Sequence, residues 1–163
     1  MKKYLLTTVF SVFLLLISPA FLRAQSVKIS GEVTTPLDLK MPDIQQYKQV
    51  NVVRKDKDGN DHTYTGIILA DILQKAGTTM GSDLKGENLA KFISVEASDG
   101  YQVVFALAEL DKTFTDRLII LATQMDGKPL PTGDGPFRII VQDEKKPARC
   151  IKMVTGIKVL FAK

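Results

Sequence analysis

Residues 92–105 read FISVEASDGYQVVF, two β-rich runs separated by the pair Asp99-Gly100. Apolar and polar residues alternate in both runs, which is typical of strands that place one face on a core. An Asp-Gly pair between two such runs is a strong signal for a tight hairpin turn. The segment therefore predicts a β-hairpin with strands at 92–97 and 101–106.

Further strands are predicted on both sides of this hairpin. They lie at 27–33, 49–54, 61–65, 118–123, 137–141 and 156–161. Residues 118–123 read LIILAT, a continuous apolar run that favours a strand buried on both faces at the centre of a sheet. Prolines and glycines crowd residues 128–136, which predicts a strand-free connection.

One clear helix is predicted. Apolar residues at positions 68, 69, 72, 73 and 76 repeat at helical spacing, and Gly77 follows where a left-handed residue would end the helix. A shorter helix is expected at 42–47, with Pro42 at its start. The fold class expected is therefore α+β, mixed and β-rich, with one clear helix at about 68–76.

The first 24 residues predict a secretory signal peptide. Two lysines precede an apolar run over 4–17, and small residues follow it, which predicts cleavage after Ala24 with Ala20 as the alternative. The apolar run is short for a bilayer span. We therefore expect a single mature domain at 25–163, periplasmic or secreted, with no membrane span after cleavage.

The net charge of +4 belongs largely to this leader. Removing Lys2, Lys3 and Arg23 lowers the count of basic residues from 22 to 19 against 18 acidic residues. No block of basic residues remains in the mature chain, which argues against nucleic acid as a partner.

Cysteine and histidine are each present once, as Cys150 and His62. An exported chain with one cysteine cannot form an internal disulfide, so Cys150 is expected to be buried. His62 has no second histidine or cysteine with which to build a zinc or iron site, and it is expected at the surface.

Six short motifs occur in an order and spacing that resemble a known family. They are Tyr64–Leu69, Ala76-Gly77, Ser98–Tyr101, Asp126–Pro131, Gly135–Arg138 and Arg149–Lys152. Together they resemble the molybdopterin-binding oxidoreductase domain of the sulfite-oxidase type. The resemblance implies that fold for nearly all of the mature chain.

The resemblance also implies a metal ligand that this chain lacks. In catalytic members of the family a cysteine thiolate ligates molybdenum, and an aliphatic residue cannot replace that soft ligand. The segment 50–55, just before the Tyr-Thr-Gly motif, has no cysteine. No catalytic residue and no metal ligand are therefore predicted, with Cys150 as an alternative ligand that ranks below a buried structural role.

The resemblance further implies an anion-binding site that this chain could retain without the metal ligand. The family uses basic residues in the C-terminal region to hold the pterin phosphate, and Arg138, Arg149 and Lys152 are the candidates here. An interpretation of equal weight is that these three side chains are solvated cations beside a strand.

Two functions of different classes follow. The first is an exported, non-catalytic binding or accessory protein for a small anionic ligand or a partner, with no cofactor. The second is a minimal molybdopterin-dependent oxidoreductase with an atypical metal site, and molybdopterin is then its cofactor. A third interpretation is an interaction subunit for a membrane redox partner.

Overall fold

The computed structural model describes residues 25–162 of the 163-residue chain, so the predicted signal peptide lies outside the described residues. The strands are β1 Val27–Gly31, β2 Leu37–Leu39, β3 Gln49–Lys55, β4 Asp61–Ile68, β5 Lys91–Ala97, β6 Gln102–Ala106, β7 Ile119–Met125, β8 Lys128–Pro129, β9 Arg138–Val141 and β10 Val154–Phe161. The helices are α1 Met41–Ile44 and α2 Leu69–Lys75, and short 3₁₀ turns lie at Gly81–Asp83, Gly86–Ala90, Leu107–Glu109 and Pro147–Arg149. Strands dominate, which confirms the β-rich α+β class. None of the helices within 25–162 is long and apolar enough to cross a membrane.

The first sheet joins the two ends of the described chain. Its strand order is β2-β1-β10-β5-β6, with β1 parallel to β10 and the other neighbours antiparallel. β5 and β6 form the predicted hairpin, in which Phe92 pairs with Ala106. The turn is closed by the Tyr101 N–H, which donates to Asp99 Oδ1 at 3.0 Å.

The second sheet is built around β7. Its order is β3-β4-β7-β8, and β9 also pairs with β7. Residues 119–123 are all buried, which confirms the expectation of a central strand from the apolar run. Buried side chains of both sheets and of α2 belong to a single hydrophobic cluster.

Gly66 lets β4 approach β7 closely. The register of the two strands shifts between Thr65 and Gly66. A Cβ atom on Gly66 would overlap the carbonyl oxygen of Leu121, so no other residue fits without moving the backbone. The glycine of the Tyr-Thr-Gly motif therefore has a packing role at the centre of the sheet.

Helix α2 ends as the sequence predicts. Gly77 has φ +74, and the Thr78 N–H donates to the Leu73 carbonyl at 3.0 Å, as in a left-handed helix cap. Leu69, Ile72 and Leu73 are buried, so the apolar face of the helix packs on the core.

Two strands were not predicted. Strand β2 pairs with β1, and β8 pairs its Lys128 with Met125, so the stretch 128–136 is not free of strand. Both are only two or three residues long, too short to show an alternating pattern. The connection between α2 and β5 contains two of the 3₁₀ turns.

Candidate functional site

A cleft of about 600 Å³ opens where three segments of the chain meet. The turn between β3 and β4 forms one wall, the approach to β9 forms the floor, and the 3₁₀ turn before β10 forms the opposite wall. The cleft is lined by Asp56, Lys57, Asp58, His62, Met125, Asp134, Arg138, Lys146, Pro147, Ala148, Cys150 and Lys152. Four of these side chains are lysine or arginine and three are aspartate, so charge dominates the lining.

Arg138 lies at the floor of the cleft. It is the first residue of β9, is only 5% exposed and follows a buried Phe137 that anchors the strand in the core. Its Nη1 donates to Tyr64 Oη at 2.8 Å and to Asp134 Oδ2 at 2.9 Å. Its Nε is buried and has no hydrogen-bond partner among residues 25–162. Buried polar groups are normally paired, so this N–H is an unsatisfied donor in a residue of the cleft lining.

Tyr64 connects Arg138 to a second carboxylate. Its hydroxyl donates to Asp56 Oδ2 at 2.5 Å while it accepts from Arg138. Burial, reinforced by the hydrogen bond to Asp56, raises the pKa of Tyr64 above its ordinary value. The phenol therefore stays protonated and serves as a fixed link in the network.

Lys152 lies at the rim of the cleft and is 50% exposed. Its Nζ is 2.5 Å from Asp134 Oδ1, so the Asp134 carboxylate bridges Lys152 and Arg138. The backbone of Asp134 is fixed as well, since its N–H donates to the Pro131 carbonyl and its own carbonyl accepts from the Met153 N–H. The structure thus brings two of the three predicted anion-site residues together around one aspartate.

Arg149, the third predicted residue, does not line this cleft. Its Nε donates to Glu144 at 2.9 Å, its Nη1 donates to Glu109 at 3.0 Å, and its guanidinium lies 4.6 Å from the centre of the Phe105 ring. Two carboxylates already occupy its donors. Its pairing holds the 3₁₀ turn against the first sheet.

Cys150 belongs to the cleft lining but is only 3% exposed, and this burial is the one expected from the sequence. The Val141 N–H donates to its Sγ at 3.5 Å. Burial raises the pKa of the Cys150 thiol, so the thiolate that a metal would need is disfavoured.

His62 is held by two aspartates rather than free at the surface. Its Nδ1 lies 2.6 Å from Asp126 Oδ2 and its Nε2 lies 2.9 Å from Asp58 Oδ2. The hydrogen bonds to Asp126 and, next, to Asp58 raise the pKa of His62 to about 9. The hydrogen bond from His62 lowers the pKa of Asp58 to about 2. A protonated imidazolium donates to both carboxylates at neutral pH and cannot act as a base.

We expect the single histidine resonance to titrate near pH 9 rather than near 6.5. Because the folded-state pKa lies above the ordinary value, the stabilisation from this contact is complete below pH 6.5 and is lost as the pH rises through about 9. The measurement is the chemical shift of the imidazole C–H protons against pH. Asp126→Asn should lower the midpoint more than Asp58→Asn, and a wild-type midpoint near 6.5 would contradict the geometry.

Comparison with known proteins places the chain in a family. The family model described as the oxidoreductase molybdopterin binding domain matches residues 55–163. The chain belongs to this family. Among solved structures, the sulfane dehydrogenase SoxCD from Paracoccus pantotrophus aligns with a TM-score of 0.62 at 17% identity, over 83% of this chain and 38% of that chain. This likeness confirms the fold, and the chain spans well under half of that neighbour. No curated protein matches the chain.

The cleft of this family member offers no exposed thiolate to a metal. Its cations Arg138 and Lys152 both contact the carboxylate of Asp134. No group of three or more histidine, cysteine, aspartate or glutamate side chains within 25–162 is placed to hold a metal ion. The one thiol, Cys150, is protonated by burial and already accepts a backbone N–H. The donor set thus disagrees with a thiolate-ligated metal.

Several site residues escaped the sequence analysis. Tyr64 was identified only as part of the Tyr-Thr-Gly motif, Asp134 lay within the connection predicted at 128–136, and Asp56 was not singled out. The spacing of Asp134 and Arg138, four residues apart around a Gly-Pro pair, was the only local signal that they face each other. The hydrogen bond from Arg138 to Tyr64 joins residues 74 positions apart in the sequence. No local sequence pattern indicates such a contact.

Proposed function

We propose that this protein is an exported, non-catalytic binding protein of the molybdopterin-binding domain family that holds a small anionic ligand in the cleft. The observation that carries the proposal is Arg138, a buried guanidinium at the cleft floor with an unpartnered Nε. Three lysines of the lining, Lys57, Lys146 and Lys152, add positive charge around it. The leader-like residues 1–24 support export.

The proposal is tested by titrating the mature protein with glycerol 3-phosphate, a small phosphate monoester, in a calorimeter. One saturable site is expected, with backbone amide shifts in an NMR spectrum confined to residues of the cleft. Shifts scattered over the surface, or no saturable heat at millimolar probe, would overturn the anion site.

Lys152→Ala should weaken binding of glycerol 3-phosphate by roughly tenfold, the worth of one charge-assisted hydrogen bond. Folding stability should change by less than about 1 kcal/mol, since Lys152 is half exposed and its ion pair is screened by solvent. Lys85→Ala is the matched control, because Lys85 is exposed and lies outside the cleft lining. Equal affinities for the two variants would place the ligand elsewhere.

The family match favours a second candidate, a minimal molybdopterin-dependent oxidoreductase. It is tested by metal analysis and pterin fluorescence on mature protein made in a host supplied with molybdate. Stoichiometric molybdenum and pterin would establish this candidate and make Cys150→Ser the next variant. Folded protein free of both supports the binding protein.

A further inference from the structure

The cation pair at the cleft floor is already occupied by a carboxylate of the chain itself. Asp134 contacts Lys152 through Oδ1 and Arg138 through Oδ2, so both oxygens face the positions that a bound anion would need. A ligand that used these donors would first have to displace Asp134.

The displacement is a movement of the side chain alone. Hydrogen bonds to Pro131 and from Met153 hold the backbone of Asp134 on both sides. Gly135 adds a further restraint, since it packs directly against Leu130 and its N–H also donates to the Pro131 carbonyl. The carboxylate can therefore swing away from Arg138 and Lys152 only by rotating about its own side-chain bonds.

We infer that Asp134 competes with a bound anion for Arg138 and Lys152. Because of this competition, the cleft selects anions with two negative charges over anions with one. This inference rests on the proposed anion site. A tethered carboxylate carries one negative charge and has a high local concentration, so a monoanion gains little by replacing it. A dianion gains more, because it doubles the negative charge facing the two cations.

Sulfate and perchlorate provide a direct test, because both are tetrahedral oxoanions and they differ by one unit of charge. Each is titrated at constant ionic strength while the backbone amides of Asp134 and Met153 are followed by NMR. Wild-type protein should bind sulfate about tenfold more tightly than perchlorate, an advantage of one charge-assisted contact. Asp134→Asn removes the competing charge and keeps the size of the side chain. It should tighten perchlorate binding by about tenfold and reduce the preference for sulfate.

Asp116→Asn is the control that removes the same charge at a position away from the cleft. Asp116 is exposed and makes no ion pair with any residue the structure describes. The Asp116→Asn variant should bind sulfate and perchlorate with the affinities of the wild type. Sulfate binding with no preference over perchlorate, or an Asp134→Asn variant that binds as the wild type does, would overturn the inference while leaving the anion site intact. If neither the wild type nor the Asp134→Asn variant bound sulfate or perchlorate, the proposed function itself would be overturned.

Discussion

Arg138→Met should lower the free energy of unfolding by about 3–5 kcal/mol, the usual loss when one partner of a buried ion pair is removed. Methionine retains the apolar stem at a position that is 5% exposed, so the loss comes mainly from the guanidinium. Without it, Asp134 Oδ2 loses its donor and the Tyr64 oxygen loses the N–H that it accepts. The measurement is chemical denaturation of the mature protein.

Two further variants make this result specific. Arg117→Met removes an exposed arginine that forms no ion pair within 25–162, and it should change stability by less than about 0.5 kcal/mol. The double variant Arg138→Met/Asp134→Asn should lose less than the sum of its single variants, since the carboxylate that loses the Arg138 donor in the first change is neutralised by the second. A loss for Arg138→Met as small as that for Arg117→Met would show that the network at the cleft floor does not hold the fold.

Leu121→Ala should destabilise the protein by about 2–5 kcal/mol through a cavity at the middle of β7. Leu121 is fully buried, and its strand is hydrogen-bonded to β4 and β9 on its two sides. Strands paired on both edges cannot relax easily into the vacated space. Thermal or denaturant unfolding measures the loss.

Leu89→Ala is the matched control for this cavity, because it is the same substitution at a side chain that is 46% exposed. It should cost less than about 1 kcal/mol. Similar losses for the two variants would mean that the region around Leu121 collapses to fill the cavity or that the strand is not central.

The sequence revealed the role of Leu121 more fully than the role of Arg138. Leu121 lies in an unbroken apolar run, a local pattern that indicates a buried central strand. The hairpin at Asp99-Gly100 and the helix ending at Gly77 were equally readable, because turn chemistry and helical periodicity act over a few residues. Such features were predicted and are confirmed by the structure.

The cleft was only partly readable because its parts are distant in sequence. Arg138 and Lys152 were identified through two family motifs, but the motifs did not show that Asp134 lies between them. Arg149 belongs to the same motif as Lys152, yet it turns towards Glu109, a residue 40 positions earlier. A side chain's partner across the fold depends on how the sheets pack, and a residue pattern within one segment carries no record of that packing.

The parallel pairing of β1 with β10 has a consequence for the timing of folding. Lys28 lies opposite Gly156, so the first strand of the described chain is hydrogen-bonded to the last. During synthesis from the N-terminus, the edge of β1 that faces β10 stays unpaired until β10 has emerged. Closure across so long a loop is slow compared with hairpin formation. The native state therefore forms only after nearly all of the described chain is available, which leaves the polypeptide open to chaperones until then.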